Sequence, residues 1–236
     1  FYPFALPDQV QATFLNEDRS GRNIANSNYG IRLSQLINGW DFSGFYYHSL
    51  DASPTFYLVG KEFDKPTFQA RHDRIDQLGS TFSKDLGSIV VKGEFVYTDG
   101  RQFNVSRFSQ PFGLARQDTL DYALGLDFTL PADFRTNLQF FQRMFLGYDR
   151  DIFHDKWESG ASVMLNRKFW QDFEIQTLLI HSLNRVEWML RPRITWNFTR
   201  NWRLAMGADM FEGPATGLFG RFANNDRVFT EIRFSF

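Results

Sequence analysis

Alternation at period two, sustained over segments of roughly ten residues, constrains this chain more than any other feature. A β-strand sends successive side chains to opposite faces, so an alternating run has one apolar face and one polar face. The clearest run is Asp121 to Leu130. Tyr122, Leu124, Leu126, Phe128 and Leu130 share one parity; Asp121, Ala123, Gly125, Asp127 and Thr129 share the other.

The same pattern recurs along the chain. Trp157, Ala161, Val163 and Leu165 oppose Glu158, Gly160, Ser162 and Asn166; Trp188, Leu190, Pro192, Ile194, Trp196 and Phe198 oppose Glu187, Met189, Arg191, Arg193 and Thr195. Trp202, Leu204, Met206, Ala208 and Met210 oppose Arg203, Ala205, Gly207 and Asp209. Ile89, Val91, Phe95 and Tyr97 oppose Lys92 and Glu94, and Tyr29, Ile31 and Leu33 oppose Arg32 and Ser34. Segments 40–49, 68–83, 135–146 and 172–182 carry large apolar residues in both phases. No stretch keeps a helical period beyond about two turns, which predicts an all-β fold.

Connections alternate in length. Short ones fall at Ile37-Asn38-Gly39-Trp40, Lys84-Asp85-Leu86-Gly87, Leu130-Pro131-Ala132-Asp133, Lys168-Phe169-Trp170-Gln171 and Thr199-Arg200-Asn201. Long ones fall near 50–66, 98–117, 146–156 and 213–226, with 182–185 as a short exception. Outer-membrane barrels sort their loops this way, tight on the periplasmic side and long outside. Trp40, Phe82, Phe134, Phe169, Trp170, Trp196, Phe198, Trp202 and Phe236 all lie at or beside the short-turn ends. An interfacial girdle of aromatic rings would sit there.

Composition fits that architecture. A mean hydropathy of -0.37 would ordinarily read as a soluble protein, and no run of about 18 apolar residues offers a transmembrane helix. A membrane β-barrel reads the same way, because its polar lumenal half dilutes every window. The net charge of -1 gives no pull toward nucleic acid, and the absence of Cys excludes disulfides and thiolate chemistry. Residue 1 is Phe and no signal peptide is present, which reads as a processed chain or a piece of a longer one.

The expected fold is therefore an antiparallel transmembrane β-barrel with about eleven or twelve strands in this chain. Residues 28–236 would hold the strands, and residues 1–27 an outer loop or first strand. Bacterial single-chain barrels have even strand numbers. Either Gln9 to Asn16 supplies a twelfth strand, or Pro3, Pro7, Gly21, Asn23, Asn26 and Asn28 mark an outer loop and further strands lie upstream.

Several spaced features carry a family resemblance. They are Gly39-Trp40-Asp41 leading to Phe45-Tyr46-Tyr47, Lys92-Gly93-Glu94, Arg191-Pro192-Arg193-Ile194-Thr195-Trp196, and Phe219-Gly220-Arg221-Phe222-Ala223-Asn224-Asn225-Asp226-Arg227-Val228. Together they resemble the C-terminal half of a proteobacterial family of large outer-membrane barrels catalogued as a domain of unknown function. The resemblance implies location and architecture, and it transfers no catalytic residue. Family members are typically more than twice as long, which suits a chain that is the C-terminal portion of a larger barrel.

The face opposite the apolar parity would line the lumen with Arg32, Lys92, Glu94, Asp121, Asp127, Glu158, Glu187, Arg191, Arg193, Arg203, Asp209, Arg227, Glu231 and Arg233. Such a set either sets solute preference in a pore or forms cross-strand ion pairs that stabilise the interior. Its signs nearly balance, so no strongly selective pore is indicated. Of the four histidines, His48, His72, His154 and His181, the last falls on the apolar parity near a strand end. His154 beside Asp151 and Asp155 is a weak candidate for a divalent ion, and His72-Asp73-Arg74 is the most enzyme-like cluster. No ordered Ser/His/Asp arrangement, phosphate loop or zinc signature accompanies them.

These features point to a bacterial outer-membrane protein with no cofactor and no enzymatic role, most simply a passive porin-like channel for small solutes. The alternatives are a non-conducting scaffold barrel in an envelope complex and, behind it, an outer-membrane hydrolase. Expected partners are outer-membrane lipid, the barrel assembly machinery and other envelope subunits, with no nucleic acid. The chain closes on Val228, Thr230, Ile232, Phe234 and Phe236 in one parity. This apolar ending resembles the signal by which outer-membrane barrels are recognised for insertion, which assigns that role to Ile232, Phe234 and Phe236.

Overall fold

Tight turns of two or three residues at 38–39, 86–88 and 131–133 each join two strands, so these neighbours in sequence become neighbours in space. The computed structural model describes residues 12–19, 21, 23–62, 65–107, 110–170, 172–215 and 217–236. Pro3, Pro7, the start of the Gln9 to Asn16 stretch, and Gln171 lie outside these residues. The strands are β1 (Thr13–Asp18), β2 (Tyr29–Ile37), β3 (Trp40–Leu50), β4 (Thr55–Glu62), β5 (Lys65–Arg71), β6 (Arg74–Asp85) and β7 (Ile89–Asn104). There follow β8 (Leu114–Leu130), β9 (Phe134–Leu146), β10 (Trp157–Phe169), β11 (Phe173–Ser182), β12 (Trp188–Trp196), β13 (Trp202–Glu212) and β14 (Arg227–Phe234).

Eleven of them form one sheet in the order β14-β13-β12-β11-β10-β9-β8-β7-β6-β3-β2, and the remaining three form a second sheet in the order β1-β5-β4. The protein is all-β, and its large sheet is an antiparallel meander interrupted only where β4 and β5 leave for the small sheet. Among the described residues, β2 and β14 each have a single neighbour. Packing gathers the described residues into two compact units. One holds residues up to 82 with 94–122 and 143–158; the other holds 83–93, 123–142 and 159–236.

In the first unit, Asn38 (φ 51) and Gly39 (φ 77) make the tight turn between β2 and β3. Two successive left-handed residues match the twist of the flanking strands, which is why Asn-Gly serves there. Residues 50–66, which the sequence marks as a long loop, instead contain β4 and the start of β5. The apolar residues of this excursion provide the reason: Phe14 of β1 packs 5.8 Å from Phe56 and 5.6 Å from Phe68, ring centre to ring centre. The described part of the Gln9 to Asn16 stretch accordingly does not extend the large sheet. Its described end enters β1, which pairs in parallel with β5, Thr13 opposite Thr67.

A conventional core also lies in this unit, where Phe103, Val105, Ala115, Phe145 and Ile152 are buried together. Val105 bridges to Ile152, which brings these two loop residues together.

The second unit contains the remaining short turns and most of the aromatic ends. Six rings run side by side across β10 to β14: Phe169–Phe173 at 5.7 Å, Phe173–Trp196 at 5.6 Å, Trp196–Phe198 at 5.2 Å, Phe198–Trp202 at 6.3 Å and Trp202–Phe234 at 4.9 Å. All belong to the apolar parity of their strands.

Candidate functional site: a polar face under an exposed apolar one

Burial follows parity, with the usual order inverted. In β8, Leu124 and Leu126 are 42% and 41% exposed; in β13, Met206 is 46% exposed while Ala205 and Asp209 are 1% exposed. Buried polar residues in the large sheet include Ser43, Thr98, Thr119, Ser162 and Thr195, and exposed apolar ones include Leu78, Ile175, Ile194 and Ile232. In water each of these part-exposed Leu and Ile side chains would forgo a share of the roughly 1.5–3 kcal/mol that full burial supplies, so this ordering favours an apolar medium or a partner on the outward face.

The polar face is organised by ion pairs between strands. Lys92 Nζ lies 2.7 Å from Asp127, whose other oxygen accepts from Asn137 at 2.5 Å. Arg143 donates to Asp121 at 2.6 Å. Asp209 is held from both sides, by Arg191 at 2.5 Å and Arg227 at 2.6 Å. Glu231 meets Arg233 at 2.9 Å and Arg193 at 3.5 Å. Arg203 stands directly opposite Arg233 in the pairing of β13 with β14.

The other sequence candidates take separate places. Arg32 is exposed on β2 opposite Phe45, and Glu94 is exposed on β7. Glu158 joins His154, 2.8 Å away. Glu187 is buried ahead of β12, where its carboxylate accepts from the Phe219 amide at 3.0 Å. It thereby anchors the 213–226 loop, and Gly213, at φ 148, makes this approach possible: a Cβ there would come within 2.5 Å of the Glu187 Cβ. Ile232, Phe234 and Phe236 are 65%, 50% and 109% exposed.

Inward aromatic rings account for the mixed phases of 40–49 and 135–146. Phe45, Phe141 and Phe229 lie over Gly79, Gly160 and Gly207, where an added Cβ would meet the ring at 2.3, 2.4 and 2.6 Å. A ring laid across a cross-strand glycine fills space on the polar face. It also breaks the alternation that sequence reading depends on.

The histidine clusters separate rather than converge. His154 packs edge-on to Phe103 with its centroid 5.2 Å away, and Asp151 turns instead to Arg107 at 2.6 Å. His72 contacts the Asp51 carbonyl oxygen at 2.6 Å and Glu17 at 2.8 Å, whereas Asp73 accepts from Tyr57 and Arg74 donates to Ser27 and Asn26, each at 3.2 Å. Burial and the Asp73 carboxylate push the Tyr57 hydroxyl up to about 12. Among the described residues no three His, Asp or Glu side chains converge as metal ligands. His181 lies on β11 opposite Ala161 and Trp188.

Sequence reading missed the polar groups at the long-loop ends of β3, β6, β7 and β8. Asp76 accepts from Tyr46 at 2.5 Å and contacts His48 at 2.8 Å; Tyr97 donates to Asp118 at 3.0 Å; Arg116 donates to Asp99 at 2.5 Å. Each has the outward parity of its strand. The signal was present in β8, where Arg116 and Asp118 precede Leu120 in the same phase.

The chain matches no protein-family model and no curated protein sequence.

Proposed function

We propose that the large sheet is the wall of an outer-membrane β-barrel whose apolar parity contacts lipid and whose ion-paired parity lines an aqueous lumen, making the protein a passive channel for small solutes. The observation that carries this reading is the inverted burial. One face of a long antiparallel meander exposes its apolar side chains while the other buries and pairs its polar ones, and lipid is the medium that favours that order. Membership of the large outer-membrane barrel family that the chain resembles belongs to the same proposal.

The dimensions support it. Along β8 the outward positions from Leu120 to Leu130 are Leu120, Tyr122, Leu124, Leu126, Phe128 and Leu130, preceded by Arg116 and Asp118. Ten steps of about 3.3 Å at a tilt of 35–45° rise roughly 23–27 Å, against an apolar band of about 25 Å in such barrels. The aromatic row would lie at the periplasmic boundary, and the Tyr46, Asp76, Arg116 and Asp118 group at the outer one. Barrel closure requires partners for the free edges of β2 and β14, since an unpaired backbone edge is not tolerated in lipid.

The inward rings of Phe45, Phe141 and Phe229 favour a second reading, a filled barrel that serves as a scaffold. Planar-bilayer recording separates the two. Stepwise current through the purified, inserted protein is expected; an inserted protein silent at every voltage would leave the scaffold.

A further inference from the structure

Three adjacent strands treat positive charge in two different ways. Nearer the long loops, Arg191 of β12 and Arg227 of β14 close on Asp209 of β13, so two guanidiniums share one carboxylate. Nearer the short turn the same strands present Arg193, Arg203 and Arg233, and the β13 position is itself an arginine. Arg203 and Arg233 are directly opposite in register. Like charges in that relation destabilise a sheet.

The surroundings neutralise them only in part, and no carboxylate among the described residues pairs with Arg203. Glu231 serves both Arg193 and Arg233. The Nε atoms of Arg193 and Arg203 are buried and have no hydrogen-bond partner among the described residues. Beside Arg203 is an open pocket of about 430 Å³, lined by Arg200, Arg203 and Arg233, with Asp172 as the single carboxylate among its described lining residues. Its walls are fixed by the backbone: Asn197 donates to the Asp172 carbonyl at 2.8 Å, and Ser235 donates to the Asn201 carbonyl at 2.8 Å.

We propose that this cavity binds an oxyanion, a phosphate or carboxylate group that takes between Arg203 and Arg233 the place Asp209 takes between Arg191 and Arg227. Guanidinium forks suit both groups, because each offers paired oxygens to parallel N–H donors. The assignment rests on the channel reading in one respect: if the polar face is lumenal, the site faces the aqueous path at its periplasmic mouth and favours anionic solutes. The same chemistry is carried by the phosphodiester of an anionic lipid headgroup, and Phe198 and Trp202 line the same cavity.

The test is calorimetric titration of inorganic phosphate into the full chain folded in detergent micelles. Saturable binding is expected, weakened at least tenfold in Arg203→Gln, partly restored in Arg203→Lys, and unchanged in Arg150→Gln, an exposed loop position. Without phosphate, Arg203→Gln should raise the urea midpoint, because it relieves the opposed charges. No binding, equal binding by Arg203→Gln, or a lowered midpoint overturns the proposal. Short-chain phosphatidylglycerol identifies the source: displacement of phosphate at lower concentration assigns the site to a headgroup, and failure to displace assigns it to a soluble anion. Phosphate binding by a protein that passes no current sinks the channel and keeps the site; current without phosphate binding does the reverse.

Discussion

Leu126 and Asp127 are neighbours in β8 with opposite environments, so they make the sharpest paired substitution. If Leu126 meets the bilayer midplane, Leu126→Arg should cost about 2–4 kcal/mol. Asp127 pairs with Lys92 with both side chains partly open to solvent, 38% and 43% exposed, so Asp127→Asn should change folding by no more than about 1 kcal/mol. Asp209 is the counter-case on the same face. At 1% exposure it receives two guanidiniums, and Asp209→Ala should cost about 2–3 kcal/mol, the range for losing hydrogen bonds to a buried charged group. Urea titration in bilayers measures all three, and a cost for Asp127→Asn above that for Leu126→Arg means the strand phase is reversed. Both environments could be read from the alternation alone. The partners could not, because Asn137 and Arg143 sit in β9, where Phe141 occupies the polar phase.

Strand and loop positions were legible wherever one face was uniformly apolar, as in β8, β12 and β13. The alternation fails in β3 and β9, where inward rings cover glycines, and in 50–71, where Phe56 and Phe68 serve a second sheet. The described loop residues around Arg107 and Asp149 are held by contacts no periodicity reveals. Arg107 reaches Asp149, Asp151 and Gln110. The Arg107 guanidinium, helped by the Asp151 amide, holds the Asp149 carboxyl down at about 2, below its ordinary 3.8. A lowered carboxyl stabilises the folded loop fully above the ordinary value and loses that contribution as pH falls toward the folded one. Hydrogen exchange at the Ser106 and Asp151 amides, which bond to Asp151 and Asp149, should therefore lose protection between about pH 4 and pH 2. In Arg107→Gln that step should vanish; unchanged protection in the wild type down to pH 2 contradicts the clamp.

The eleven strands of the large sheet stand beside a sequence expectation of about eleven or twelve, and on the proposed barrel reading a sheet between lipid and water favours the alternation that β8, β12 and β13 show. What alternation leaves out is the fate of the two free edges, because pairing across them leaves no mark on side-chain period. On the proposed barrel reading, the exposed residues Ile232, Phe234 and Phe236 serve assembly, so deleting Phe236 should lower the yield of inserted protein while leaving the conductance of inserted molecules unchanged. Normal insertion of the shortened chain would count against that role. The orientation of the wall can be tested most directly because the chain has no cysteine. Single substitutions from Leu120→Cys to Leu130→Cys, spin-labelled in lipid bilayers, report contact with oxygen, which partitions into lipid, and with a water-soluble nickel chelate. The account predicts period-two alternation, with Leu120, Tyr122, Leu124, Leu126, Phe128 and Leu130 favouring oxygen and the intervening positions favouring nickel; equal access of both reagents along β8, or the opposite phase, contradicts it.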